Sequence, residues 1–162
     1  MNKRKIAMAL SVAAILSCVC GMLGCKKTLK YTVDDIQSIS ISCAHMDYSC
    51  CYAFYIRNSE NGWIFDADFA TDTESLHTNF ENCSVTDEDV KELLAIVRDE
   101  ELVKKLSRSK KHKTKIHVSD ETTYYTSIMF SDGEKIGASV FASQDLEDCF
   151  YRLAEKYART IT

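Results

Sequence analysis

The sequence contains no proline and only five glycines among its 162 residues. Without proline, no rigid polyproline spacer divides the chain, and every tight turn falls to glycine, asparagine or aspartate. So few glycines leave little scope for phosphate-cradling loops, and neither Gly-x-x-x-x-Gly-Lys nor the dinucleotide fingerprint Gly-x-Gly-x-x-Gly occurs. The Gly-x-Ser-x-Gly nucleophile elbow and the His-Glu-x-x-His zinc motif are missing as well. No catalytic residue is therefore assigned, no cofactor is expected, and the chain is not expected to be an enzyme. Positive charge is not in surplus either: the formal net charge is −4, which argues against a nucleic-acid partner, because duplex binding demands many cationic phosphate contacts.

Charge is also missing locally. Ile6 to Leu23 carries no charged side chain, and Lys3, Arg4 and Lys5 stand just before it. A basic n-region followed by an apolar h-region is the pattern of a secretory signal peptide. The run ends at Met22-Leu23-Gly24-Cys25, which resembles the lipobox of bacterial lipoproteins, with Met22 where leucine is usual. In that family the cysteine thiolate takes a diacylglycerol, and cleavage then frees its amine. The resemblance implies residues 1–24 as signal peptide, Cys25 as the lipidation site, and a mature protein anchored on the extracytoplasmic face of the bacterial cell membrane. Ile15-Leu16-Ser17-Cys18 is a second candidate, but the chain after Cys18 stays apolar, whereas Lys26-Lys27 after Cys25 makes a polar exit. An uncleaved transmembrane helix is the other reading of the 18-residue run. Either way the basic cluster stays inside and the remainder lies outside the cytoplasm. Removing residues 1–24 takes away three positive charges, so the mature body falls from −4 to −7.

After Cys25, residues 25–34 read as a lipid-tethered linker and 35–162 as a single globular domain. Ile36 to Cys43 alternates Ile39, Ile41 and Cys43 against Ser38, Ser40 and Ser42, the period of a half-buried strand. Cys51–Arg57 and Trp63–Phe69 flank Asn61-Gly62, a hairpin turn signal, and a shorter strand over Leu76–Phe80 extends the meander. Thr86 can cap a helix whose first turn is acidic and whose apolar stripe is Val90, Leu93, Leu94 and Val97. Asp99-Glu100-Glu101 interrupts the stripe before Leu102, Val103 and Leu106. Tyr124–Phe130 and Lys135–Phe141 form a second hairpin around Asp132-Gly133, and Ser143 caps a final helix with Leu146, Phe150, Leu153 and Tyr157. The expected fold is α+β: a mostly antiparallel sheet, meander plus C-terminal hairpin, with two helices packed on one face.

Ser38-Ile39-Ser40, Phe130-Ser131-Asp132-Gly133 and Tyr151-Arg152-Leu153-Ala154-Glu155-Lys156-Tyr157 resemble stretches of small lipoproteins of gut-type bacteria, a likeness that implies no known chemistry. Five cysteines remain after Cys25: Cys43, Cys50, Cys51, Cys83 and Cys149. An odd number cannot all pair internally. Buried unpaired cysteine acting as a small hydrophobe is the simplest reading. Cys43 could instead form a disulfide across the turn to Cys50 or Cys51, or Cys43, His45, Cys50 and Cys51 could gather as soft ligands around Zn²⁺ or Cu⁺.

Asp66, Asp68, Asp72 and Glu74 hint at an oxygen cage, yet the EF-hand positions for glycine and glutamate hold Thr71 and His77. The cationic run Lys104, Lys105, Arg108, Lys110, Lys111, Lys113 and Lys115 reads as a solvated loop, with anionic headgroups or wall polymers as the alternative partner. His45, His77, His112 and His117 are scattered, and a hydrolytic function would need a cleft gathering one of them with a carboxylate around a cysteine. What remains is a membrane-tethered binding or interaction module whose sheet face or hairpin edge recognises a protein or an envelope polymer. A thiol or metal module centred on Cys43–Cys51 is the alternative.

Overall fold

Residue alternation decides which side of each strand is dry, and in the computed structural model it does so along one six-stranded sheet. The structure describes residues 30–45, 51–70, 78–109 and 122–161. The strands are β1 (Ile36–Ala44), β2 (Tyr52–Ser59), β3 (Gly62–Phe69), β4 (Thr78–Ser84), β5 (Thr123–Phe130) and β6 (Lys135–Ala138). Their order is β4-β3-β2-β1-β5-β6, and every neighbouring pair is antiparallel. The first four strands form the expected meander. Helices α1 (Asp87–Asp99) and α2 (Leu102–Ser109) then carry the chain to the other side of β1, where the β5–β6 hairpin docks, and α3 (Gln144–Ile161) closes the fold.

Core and open faces follow directly from the period of two. Ile39, Ile41 and Cys43 of β1, Phe54 and Ile56 of β2, and Phe65 and Phe69 of β3 are at most 5% exposed and meet the helices. Ile36 also reaches the core although it is out of phase, because a bulge between Ile36 and Ser38 shifts the register against β5. The turns use the expected residues: Ser59 pairs with Gly62, at φ 108°, around Glu60-Asn61. Gly133, at φ 83°, closes a three-residue loop in which Phe130 N donates to Glu134 O at 2.9 Å.

Most strand ends fall within one or two residues of the sequence reading, and two strands differ by more. β4 continues past Phe80 to Ser84, because a bulge between the pairs Phe65–Cys83 and Ala67–Phe80 takes up Glu81 and Asn82, with Asn82 at φ 58°. β6 stops at Ala138 instead of Phe141. Beyond it the chain turns so that Val140 O accepts from Thr126 Oγ1 at 3.0 Å, and Phe141 packs edge-on against Tyr124.

Among the described residues the α-helices number three, where two were expected. Glu101 sits at φ 49°, which an α-helix cannot propagate, so the acidic run separates α1 from α2. α1 buries Val90, Leu93 and Val97, α2 buries Leu102, Val103 and Leu106, and α3 buries Leu146, Cys149, Phe150, Leu153, Ala154 and Tyr157. Thr86 caps α1 as its sequence implies, accepting from Asp89 N at 3.3 Å. Replacing Thr86 with alanine should cost about 1 kcal/mol in denaturant unfolding; an unchanged midpoint would mean that the cap contributes nothing.

The same end of α1 is tied to α3. Asp89 Oδ2 accepts from Thr86 Oγ1 at 2.7 Å, from Tyr157 Oη at 2.5 Å and from Lys156 Nζ at 2.6 Å. Burial raises the Asp89 pKa, but the hydrogen bonds from Lys156, Tyr157 and Thr86 outweigh it and bring it to about 2. A second ion pair, Arg152 to Glu92 at 2.6 Å, continues the seam. At the other end of the chain, Tyr31 stacks on Phe130, so residues 31–34, which read as linker, pack on the domain.

Candidate binding face of the sheet

Among the described residues all three helices lie on one side of the sheet; on the other side Ser38 and Ser127 are buried, while Ala53, Asp68, Asn79 and Glu81 are exposed. The edges are poorly suited to pairing with a further strand: β6 is four residues long and β4 is bulged. The open face is shaped by side-chain size. Ser40, Ser42 and Ala53 are too short to rise above the backbone, while Tyr55, Asp66, Asp68 and Glu81 are longer, and together with Asn79 they bound a shallow groove of about 390 Å³ across β1–β4. Three of the lining residues are carboxylates and none is Lys or Arg.

Asp66 is engaged by Arg57. Arg57 Nη1 donates to Asp66 Oδ2, its Nη2 donates to Asn82 Oδ1 at 2.7 Å, and Asn82 N donates to Asp66 Oδ1 at 2.7 Å. The guanidinium also lies 5.1 Å from the centre of the Tyr55 ring. This network bridges β2, β3 and β4 and satisfies the backbone of the bulge, so Asn82 keeps its left-handed conformation and Glu81 is held on the open face. Asp68 and Glu81 are exposed. At the back of the groove Ser40 and Ser127 share a hydrogen bond of 2.8 Å, which braces β1 against β5.

Cys43 takes the small-hydrophobe role and not the disulfide or ligand role that was its alternative. Cys43 points into the core, between the register partners Tyr52 and Tyr124, at 3% exposure. Cys51 precedes the core-facing Tyr52 and so cannot share its side of the strand; its Sγ lies 3.9 Å from His45 O. No disulfide joins Cys43 to Cys51, and among the described residues no three His, Cys, Asp or Glu side chains gather as metal ligands. Cys50 and Cys25 lie outside the described residues, as do His77, His112 and His117. Burial pushes the thiols of Cys83 and Cys149 up, away from the thiolate that nucleophilic or redox chemistry requires.

Of the proposed oxygen cage, Asp66 and Asp68 share the open face, and Asp72 and Glu74 lie outside the described residues. Of the cationic run, Lys104 and Lys105 pair with Glu101 and Glu100, and residues 110–115 lie outside the described residues. Tyr55, Arg57, Glu81 and Asn82 were not singled out from the sequence. Their signal was the polar side of the alternation in β2 and β3, which reads equally well as a plain solvent face.

No protein-family model matches the chain, and comparison with curated proteins and with solved structures found no match.

Proposed function

We propose that this protein is a lipid-anchored, extracytoplasmic binding module whose open sheet face takes a cationic partner, a lysine- or arginine-bearing segment of another protein. The observation that carries this reading is the groove whose walls place the exposed Asp68 and Glu81 beside the Arg57–Asp66 pair, an excess of carboxylate over cation. Tyr55 offers an aromatic ring beside the acids. Exposed ion pairs contribute only about 0.2–1 kcal/mol each. Useful affinity therefore needs several cations on one ligand and falls with salt.

The anchor rests on Met22-Leu23-Gly24-Cys25 at the end of an uncharged run. Among the described residues no helix is long and apolar enough to cross a membrane.

One experiment addresses both parts. Full-length wild type, Cys25→Ala and Asp68→Lys are expressed in a bacterium, labelled with a fatty-acid probe, and assayed in zwitterionic vesicles for binding of a fluorescent oligolysine peptide. The wild type should carry lipid and bind the peptide. Cys25→Ala should remain an unlabelled precursor, and Asp68→Lys should keep its lipid and lose at least about tenfold in affinity, equivalent to ~1.4 kcal/mol. A lipid-labelled Cys25→Ala protein would end the anchor assignment, and equal peptide binding by Asp68→Lys would end the binding-face assignment.

A further inference from the structure

The open side of the sheet carries a second feature beside the groove. Ser42 pairs with Ala53 on one side and with Tyr125 on the other, and Ala53 pairs with Asp68. Asp68, Ala53, Ser42 and Tyr125 therefore form one row across β3, β2, β1 and β5. The two small residues are its floor, and Tyr125, which is 40% exposed, closes the end opposite Asp68.

Gly137 decides how Tyr125 lies. Ser127 pairs with Gly137, which makes Gly137 a diagonal neighbour of Tyr125, about 7–8 Å away. A Cβ atom at position 137 would meet Tyr125 Oη at 2.7 Å and Ser127 Cβ at 3.0 Å. The hydroxyl has thus come down to the level of the sheet, and the ring leans over β5 toward β6 with one flat face outward. A side chain at position 137 would occupy the space that the hydroxyl takes. Lys135, the next open-side residue of β6, lies on the far side of the ring from the groove.

We infer that Tyr125 is a stacking platform for an arginine, which makes the partner of the open face an arginine-bearing extended segment and not simply a polycation. This deepens the cationic-partner reading and rests on it. A guanidinium is planar and weakly hydrated, so it lies flat on an aromatic face while its in-plane N–H groups donate sideways, which an ammonium cannot do. The chain uses that geometry on the same face: the Arg57 guanidinium lies 5.1 Å from the centre of the Tyr55 ring while it donates to Asp66 and Asn82. The exposed Asp68 and Glu81 supply the complementary charge. Asp68 and Tyr125 stand three strand spacings apart, about 14 Å, and same-side residues four apart in an extended segment are separated by about 13 Å. One segment can therefore place an arginine on Tyr125 and a second cation at Asp68.

The test compares fluorescent oligoarginine and oligolysine peptides of equal length binding to the full-length protein in zwitterionic vesicles. The wild type should prefer oligoarginine at least about threefold, the scale of an exposed cation–π contact. Tyr125→Ala should bring the two affinities together while changing oligolysine binding less than about twofold, and Tyr125→Phe, which keeps the ring, should retain the preference. Gly137→Ala should reduce the preference with Tyr125 still present, because the added methyl lifts the hydroxyl off the sheet. Circular dichroism shows whether that variant is folded; if it is not, Tyr125→Ala, a change at a solvent-facing side chain, decides alone.

Equal binding of the two peptides by the wild type would overturn the platform and leave the cationic-partner reading in place. A preference that survives in Tyr125→Ala, or in folded Gly137→Ala, would do the same. Wild type that binds neither peptide would overturn that reading and this inference together. A neutral glucan oligosaccharide that binds the wild type and is lost in Tyr125→Ala, with no arginine preference, would give the ring to a sugar and overturn the arginine assignment.

Discussion

Replacing Phe54 with alanine should cost about 3–5 kcal/mol, the largest loss expected from a single side chain in this fold. Phe54 is 1% exposed and stacks on Phe150 of α3, with centroids 5.7 Å apart and planes 4° apart. Tyr52 stacks on it at 5.0 Å, Tyr151 meets it edge-on at 5.1 Å, and Phe65 and Phe69 lie within about 6 Å. Each of these rings is held by its own strand or helix, so the neighbours cannot collapse into the space a missing phenyl leaves. The cost is therefore the lost transfer energy plus a nearly full cavity. Against a typical domain stability of about 5–15 kcal/mol, the variant should be partly unfolded at ambient temperature. Urea unfolding followed by circular dichroism is the check. Phe54→Leu, which keeps most of the volume, should lose far less, and a cost below about 1 kcal/mol for Phe54→Ala would mean that the cluster repacks.

The second large effect concerns acid. Asp89 has a pKa of about 2 in the folded protein, against an ordinary value of 3.8. A carboxylate whose folded value is depressed contributes stability above its unfolded pKa and loses it as pH falls through the folded one. For Asp89 that window runs from about pH 4 down to about pH 2. The side chain is 12% exposed, so solvent screening is modest, and the contribution near neutral pH is about 2 kcal/mol.

Asp89→Asn should lower stability by about that amount at pH 7 and flatten the wild-type decline between pH 4 and 2. Asp89→Ala should cost somewhat more, because the Tyr157 hydroxyl, which accepts from Thr86 N at 3.0 Å, would lose its own acceptor. Stability curves for wild type and Asp89→Asn that stay parallel below pH 4 would show that Asp89 is not the group responsible.

Several elements were legible in the sequence because the forces that make them act over a few neighbouring residues. β1, β2 and β3 declare themselves through alternation, which depends only on the two-residue repeat of an extended chain. Thr86 and its acidic first turn mark the start of α1 because a cap satisfies nearby backbone N–H groups. Asn61-Gly62 and Asp132-Gly133 mark turns because glycine accepts positive φ. The fold class followed from runs of strands that do not alternate with helices.

Other features depend on partners distant along the chain. The extension of β4 hangs on Asp66 reaching Asn82 N across β3, and no local pattern announces a bulge whose stabilising group is sixteen residues away. The end of β6 at Ala138 depends on Val140 O finding Thr126. Tyr31 belongs to the domain only because β5 docks beside β1 and brings Phe130 under its ring. Cys43 had a ligand role with Cys50 and Cys51 as one alternative to burial, and the closing of β2 and β5 over it decided for the core.

The groove was the least legible feature of all. It is a difference in side-chain height across four strands, and Ser40, Ala53, Asp68 and Glu81 become one surface only when the register aligns them. Sequence alone therefore determined the period of the strands and the helix boundaries that caps and turns mark. Tertiary structure decided which alternating face stayed open, which carboxylate Arg57 neutralised and which carboxylates remain exposed to solvent, because those depend on distances between residues that only strand pairing brings together.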